Sequence, residues 1–244
     1  MSKKLSKKEK KRLKYIESLK KEETKIERKE PKKIKISKTF IIVAFIIITF
    51  VAYSVFSNIN KPSYTPKKTD VPTVGSDDAP VTIKSFSEFQ CPYCADFYTK
   101  TYPELKSQYI DTGKVKFVFY EFPIEQIHPL SMKASEAARC AYEQDRYEDY
   151  AMILYSRQSQ WTRAGPSKFK DYARELGLNM DEFNKCLDSG AMRDIIKREM
   201  EEGKKLQVGG TPTFFINDRR IVGARPFEDF DKVISGYLKT NTTD

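Results

Sequence analysis

The sequence predicts an α/β domain carried behind a membrane-spanning helix. Three observations carry this reading. An uncharged apolar run follows a lysine-rich tail. Strand and helix patterns then recur as β-α-β, a long helical block, and β-β-α. Two cysteines three apart stand where the first strand gives way to the first helix of that domain.

The chain has 244 residues and a formal net charge of +10, but the charge is unevenly placed. Residues 1–38 hold 17 Lys/Arg against 6 Asp/Glu, and the rest of the chain is close to neutral. A basic tail beside a neutral body excludes nucleic-acid binding as the reading of the charge. The tail has weak helical spacing at Leu5, Ile16, Leu19 and Ile26 and is expected to be solvated and largely disordered, with anionic-lipid binding as the sharper alternative. "TFIIVAFIIITFVAYSVFSNIN", residues 39–60, contains no charged residue. About 20 apolar residues in a helix span a hydrocarbon core of roughly 30 Å. The lysine excess on its N-terminal side orients it by the positive-inside rule, with residues 1–38 cytoplasmic and the rest of the chain outside. A cleaved signal peptide fits less well, because the apolar run is longer than a usual h-region and "AYS" at residues 52–54 is a poor cleavage site. The expectation is an uncleaved signal anchor over 39–57 after a basic cytoplasmic tail of 1–38.

Residues 58–70 are rich in Pro, Thr, Lys and Asp and read as a linker to a domain over 71–244. "VTIKSFSEF" (Val81–Phe89) alternates β-branched and aromatic residues as a strand does. The helix that follows has Pro92 in its first turn, Gly113 as a stop and Pro103 inside, where a kink or split is expected. Val115–Phe122 reads as the second strand. From about 128 to 207 the periodicity is helical throughout; Asn179, three before Glu182, marks a capping box. "GGTPTFFIND" and "RRIVGA" then form a hairpin about residues 217–219, and "PFEDFDKVISGYLK" is a closing amphipathic helix.

"SEFQCPYCADFY" carries the chemistry. A structural zinc needs four ligands, and beyond Cys91 and Cys94 only the isolated Cys140, Cys186 and His128 are available. There is no second C-x-x-C and no H-x-x-x-H, and one histidine is too few for a copper clip. The expected metal is none. A redox dithiol fits the position better. At a helix N-terminus the free N–H groups and the dipole stabilise a Cys91 thiolate, with Cys94 one turn on to resolve it. Pro92 has no N–H to lose there, and Tyr93 fills the other motif position.

These residues resemble the DsbA-like kind of thioredoxin-fold thiol–disulfide oxidoreductases. The resemblance runs over roughly Val71 to Lys239. It rests on "GSDDAPVTI" leading into "FSEFQCPYC", on "HPLSMKASEAARCAYEQ", and on "VGGTPTFFIN" followed by "IVGA". It implies a thioredoxin fold with an inserted helical domain, and a dithiol that carries two electrons without a cofactor. Thr211 and Pro212 match the cis-proline loop that packs on the dithiol and binds substrate backbone. The expected partners are exported proteins or peptides with cysteines and a membrane redox partner that recycles the dithiol. A reductase or isomerase, or a non-enzymatic anchored binding protein, is the alternative.

The chain departs from the family pattern twice. Ser85 stands where thioredoxin-fold proteins often carry a buried acid, and the nearby carboxylates Glu88 and Glu121 do not occupy that place. Proton handling then falls to water or another acid. Tyr93 replaces the histidine of the strong oxidants, so the expected potential is nearer the roughly −200 mV of glutaredoxins than the about −120 mV of DsbA. Cys140 and Cys186, on separate predicted helices, read as a structural disulfide, with two buried free thiols as the alternative. His128 is expected to serve a loop or a cap, and Trp161 to pack.

Overall fold

The computed structural model describes residues 7–27, 38–59 and 62–240, and the chain divides into two units, Met1–Ile59 and Asn60–Asp244. In the first unit, α1 spans Lys7–Glu27 and α2 spans Lys38–Ile59. The helix α1 corrects the expectation of a largely disordered tail. Lys, Glu and Leu are strong helix formers, and Glu17 precedes Lys21 by the supportive i, i+4 spacing. Along α2, Ile41, Ile48, Phe50 and Phe56 are all exposed. Among the described residues no helix is long and apolar enough to cross a membrane.

The second unit is built on a five-stranded sheet in the order β1-β3-β2-β4-β5, with β1 Thr73–Val74, β2 Val81–Ser87, β3 Val115–Glu121, β4 Thr213–Ile216 and β5 Arg219–Val222. β2 lies at the centre, parallel to β3 and antiparallel to β4, with Ile83 in register with both Phe117 and Ile216. Its side chains Val81, Ile83 and Phe86 are wholly buried, as a strand covered on both faces requires. The two-residue β1 was not predicted. It pairs antiparallel with β3, supported by the Phe119 N–H donating to the Pro72 carbonyl at 2.9 Å.

One helical ribbon connects β2 to β3. α3 (Pro92–Asp96) opens into a π-turn at Phe97–Thr101, α4 (Tyr102–Leu105) follows, and a second π-turn ends at Ile110. Pro103 lies at the start of α4, so the wider turn before it absorbs the missing N–H and the chain is not split. Phe97 packs on Phe214 of β4 at 4.3 Å between ring centroids and on Phe230 of α11 (Phe227–Thr240) at 5.3 Å. This is the larger core. Around Phe86, Phe122 and Val208 a smaller cluster fills the opposite face, with Met200 and Leu206 packed against it.

The insertion comprises α5 (Ser131–Tyr142), α6 (Tyr147–Ser156), α7 (Gln158–Ala164), α8 (Ser167–Glu175), α9 (Met180–Ser189) and α10 (Arg193–Lys205). Asn179 caps α9, its side chain accepting from the Asp181 and Glu182 N–H groups. Gly203 brings α10 onto the sheet: a Cβ there would lie 2.6 Å from the Phe122 ring. A buried ion pair, Arg139 with Glu199, ties α5 to α10, and Glu199 also accepts the Glu121 N–H at 2.7 Å. Cys140 and Cys186 are joined as a disulfide between α5 and α9. Trp161 is fully buried beside Phe169 and donates to the Leu154 carbonyl.

The stretch before β1 lies on this helical block. Glu143 accepts from the Tyr64 hydroxyl and from the Lys67 and Lys68 N–H groups at 2.8–2.9 Å. The Asp70 carbonyl takes a hydrogen bond from Arg139, and its carboxylate one from the Tyr142 hydroxyl, both at 2.6 Å.

Candidate active site

Cys91 is the N-cap of α3, with extended backbone, and Pro92 is in the first turn. Such a cap places a side chain over N–H groups that have no intrahelical partner. Cys91 and Cys94 are free thiols, the first 4% exposed and the second fully buried behind it. The Cys91 thiol donates to the Thr211 carbonyl at 3.3 Å. The Thr211–Pro212 peptide bond is cis, and it immediately precedes β4. The fold thus brings two residues 120 positions apart into one site.

The two sulfurs differ sharply in acidity. The Cys94 thiol, the Thr211 side chain and the backbone N–H groups of Tyr93 and Cys94 outweigh desolvation at Cys91 and hold its pKa down to about 5. Burial first, and then the Cys91 charge beside it, pushes the Cys94 thiol well up. The site therefore holds one thiolate at its mouth and one protonated thiol inside. We expect Cys91 alkylation by iodoacetamide in reduced protein to rise with a midpoint near pH 5, where absorbance at 240 nm also rises. A midpoint near the ordinary thiol value of about 8.5 would contradict the assignment.

The insertion also reaches this loop. Gln158 of α7 donates to the carbonyls of Phe89 and Cys91 at 2.8 and 2.9 Å, and the Gln90 side chain accepts the Leu130 N–H at 2.9 Å. Neither glutamine stood out in the sequence, since a polar side chain that binds backbone carries no motif. Phe86, Phe89, Phe97, Tyr98 and Phe214 are core residues, whereas Tyr93 is 67% exposed. Tyr93, Thr211, Val222 and Arg225 line an open groove of about 370 Å³ beside the dithiol. A larger cavity, about 600 Å³, lies between the β4–β5 turn and α11 and contains neither cysteine.

Ser85 is buried and its hydroxyl meets those of Ser87 and Tyr98 at 2.9 and 2.8 Å. Glu88 and Glu121 are both buried as well. Glu121 is engaged by Ser135 at 2.7 Å and Tyr147 at 2.5 Å, while Glu88 touches His128. His128 also terminates the loop before α5, its carbonyl accepting the Ser131 N–H at 3.0 Å. Among the described residues no group of three or more His, Cys, Asp or Glu is placed to hold a metal ion.

A cysteine pair on a helix N-terminus, facing a Thr-Pro loop at the start of an inner strand of the sheet, defines a thioredoxin-fold protein of the dithiol class. The comparisons agree. The family described as Thioredoxin matches residues 67–235. The probable disulfide bond formation protein D of Bacillus anthracis is 30% identical over 213 residues, 82% of this chain and 94% of that one. Oxidised BdbD from Bacillus subtilis superposes with a TM-score of 0.64 at 24% identity, over 72% of this chain and 97% of that one, a likeness of fold. The Na(+)/H(+) antiporter NhaA 3 of Salinispora tropica is 31% identical over 146 residues, and the chain spans 21% of its length. The chain belongs to the thioredoxin family, among its DsbA-like thiol–disulfide oxidoreductases.

Proposed function

We propose that the protein oxidises cysteines in exported proteins by thiol–disulfide exchange through its C-P-Y-C dithiol. The observation that carries this reading is the contrast between the two sulfurs, a stabilised thiolate at Cys91 in front of a buried thiol at Cys94. In the oxidised protein a substrate thiolate attacks Cys91, and Cys94 leaves. A second substrate thiolate then attacks the substrate sulfur of the mixed disulfide and releases Cys91 as its stable thiolate. The bound chain lies along Thr211 and Pro212, in the groove beside Tyr93.

The same reading divides the chain into a basic cytoplasmic tail, an anchor over 39–57, a linker over 58–70 and an extracytoplasmic domain over 71–244. The uncharged run and the lysine asymmetry support the anchor. A membrane redox partner reoxidises the dithiol.

The test uses the full-length oxidised protein and a reduced peptide with two cysteines. One peptide disulfide should appear for each Cys91–Cys94 disulfide lost. Cys94→Ser protein offered the disulfide form of the peptide should trap a mixed disulfide through Cys91, whose thiolate attacks the peptide disulfide and releases one peptide thiolate. If reduced protein instead cleaves the peptide disulfide and the equilibrium lies on that side, the direction is reversed and the protein is a reductase.

A further inference from the structure

Three residues before Cys91, the end of β2 delivers Glu88 into the protein interior, fully buried. Its Oε2 accepts the Gln90 N–H at 2.7 Å. Its Oε1 contacts His128 Nδ1, and apart from that contact neither atom has a hydrogen-bond partner among the described residues. An unshared buried carboxylate oxygen is costly unless a proton lies between the two groups. His128 is the single histidine of the chain, and its side chain is 21% exposed, so it links the buried carboxyl to the surface. On the other side, the backbone N–H of Glu88 reaches the Cys94 sulfur.

The other polar groups nearby are already committed. Glu121 on β3 is occupied by Ser135 and Tyr147, and Ser85 holds a hydroxyl where an acid is absent. The charged or titratable groups around Glu88 are Cys91 and Cys94 on the α3 side, Glu121 from β3 and His128 from the loop before α5.

We propose that Glu88 and His128 form a proton relay for Cys94, the carboxyl exchanging a proton with the thiol and the imidazole connecting the carboxyl to solvent. This rests on the oxidoreductase reading above. When a substrate thiolate attacks Cys91, a bond forms between the two sulfurs and the Cys91–Cys94 bond breaks. Cys94 leaves with the electron pair and takes the proton of Glu88. His128 returns a proton from water to the carboxylate, since imidazole accepts on one ring nitrogen while donating from the other. When the second substrate thiolate releases Cys91, two electrons have entered the dithiol and one substrate proton remains in solvent. Burial, with the negative charges of Cys91 and Glu121 adding to it, pushes Glu88 up to about 8. It therefore holds the proton at neutral pH and is poised to give it up.

The test is the single-turnover rate at which a reduced dithiol peptide reduces oxidised full-length protein, measured from pH 6 to 10 with wild type, Glu88→Gln, Glu88→Asp and His128→Gln. After each rate is divided by the peptide's own thiolate fraction at that pH, Glu88→Gln should be about 10²-fold slower at pH 7 and should lack the inflection near pH 8, and Glu88→Asp should restore part of both. His128→Gln should keep the inflection but become dependent on buffer concentration, with added imidazole restoring the rate. A Glu88→Gln rate and profile equal to wild type would overturn the relay. So would a uniform loss at every pH with the inflection kept, the mark of a merely structural role. If Glu88→Gln does not fold, the buffer dependence of His128→Gln decides: present supports the relay, absent overturns it. Failure of the wild type to exchange thiols at all would instead overturn the functional reading.

Discussion

Replacing Cys91 by Ser is expected to lower peptide oxidation by about 10³-fold or more, because a hydroxyl offers no exchangeable sulfur and no stable leaving anion at neutral pH. The lost features can be named. Cys91 sits on the N-terminus of α3, and the Cys94 thiol, the Thr211 side chain and the nearby backbone N–H groups of Tyr93 and Cys94 hold its pKa down to about 5. The consequence runs in a definite direction with pH. A group whose folded value is depressed stabilises the reduced fold above its ordinary range near 9, and that stabilisation is lost as pH falls through about 5. Reduced wild-type protein should therefore lose stability relative to Cys91→Ser on acidification toward pH 5. If Cys91→Ser retains wild-type turnover, the dithiol is not the reactive centre and the fold serves only to bind.

The second large effect is on stability. Removing the Cys140–Cys186 disulfide by a double change to Ala is expected to cost about 3–4 kcal/mol, the chain-entropy value for a closed loop of 46 residues. The bridge joins α5 to α9 inside the insertion, where Cys140 is fully buried and Cys186 is 1% exposed. Thermal or denaturant unfolding of the double variant gives the figure directly. A mild reductant should open Cys91–Cys94 while leaving this bridge closed, because substrate thiols reach the first pair and not the second. Mass mapping of partly reduced protein separates the two. An unchanged denaturant midpoint in the double variant would show that the helical block is held by packing alone.

Much of this architecture was legible in the sequence, and the physical reasons are specific. β2 was legible from β-branched and aromatic residues in near alternation, as a strand carries them. The insertion betrayed itself through unbroken helical period, and Asn179 through the reach of its side chain to the Glu182 N–H. What was not legible depends on contacts distant in sequence. β1 has two residues and exists because β3 offers an edge to it. Gln158 and Gln90 act on backbone groups across the site and leave no periodic trace. Glu88 and Glu121 look alike as carboxylates one strand apart. The fold gives Glu121 two hydroxyl partners, and Glu88 one imidazole and the Gln90 N–H. The basic tail was misread because its charge suggested disorder, whereas Lys, Glu and Leu together favour the helix of α1.

Between Cys91 and Cys94, Tyr93 points outward and adds no cation to the Cys91 thiolate. Backbone N–H groups and the neighbouring thiol do that work instead, which on the proposed function predicts an oxidant of intermediate strength. Equilibrating the Cys91–Cys94 pair of full-length protein in glutathione buffers measures this directly. The account predicts a reduction potential near −200 mV, closer to glutaredoxins than to the roughly −120 mV of DsbA. A value at or below thioredoxin's roughly −270 mV would contradict it, because such a dithiol donates electrons to exported proteins and does not withdraw them.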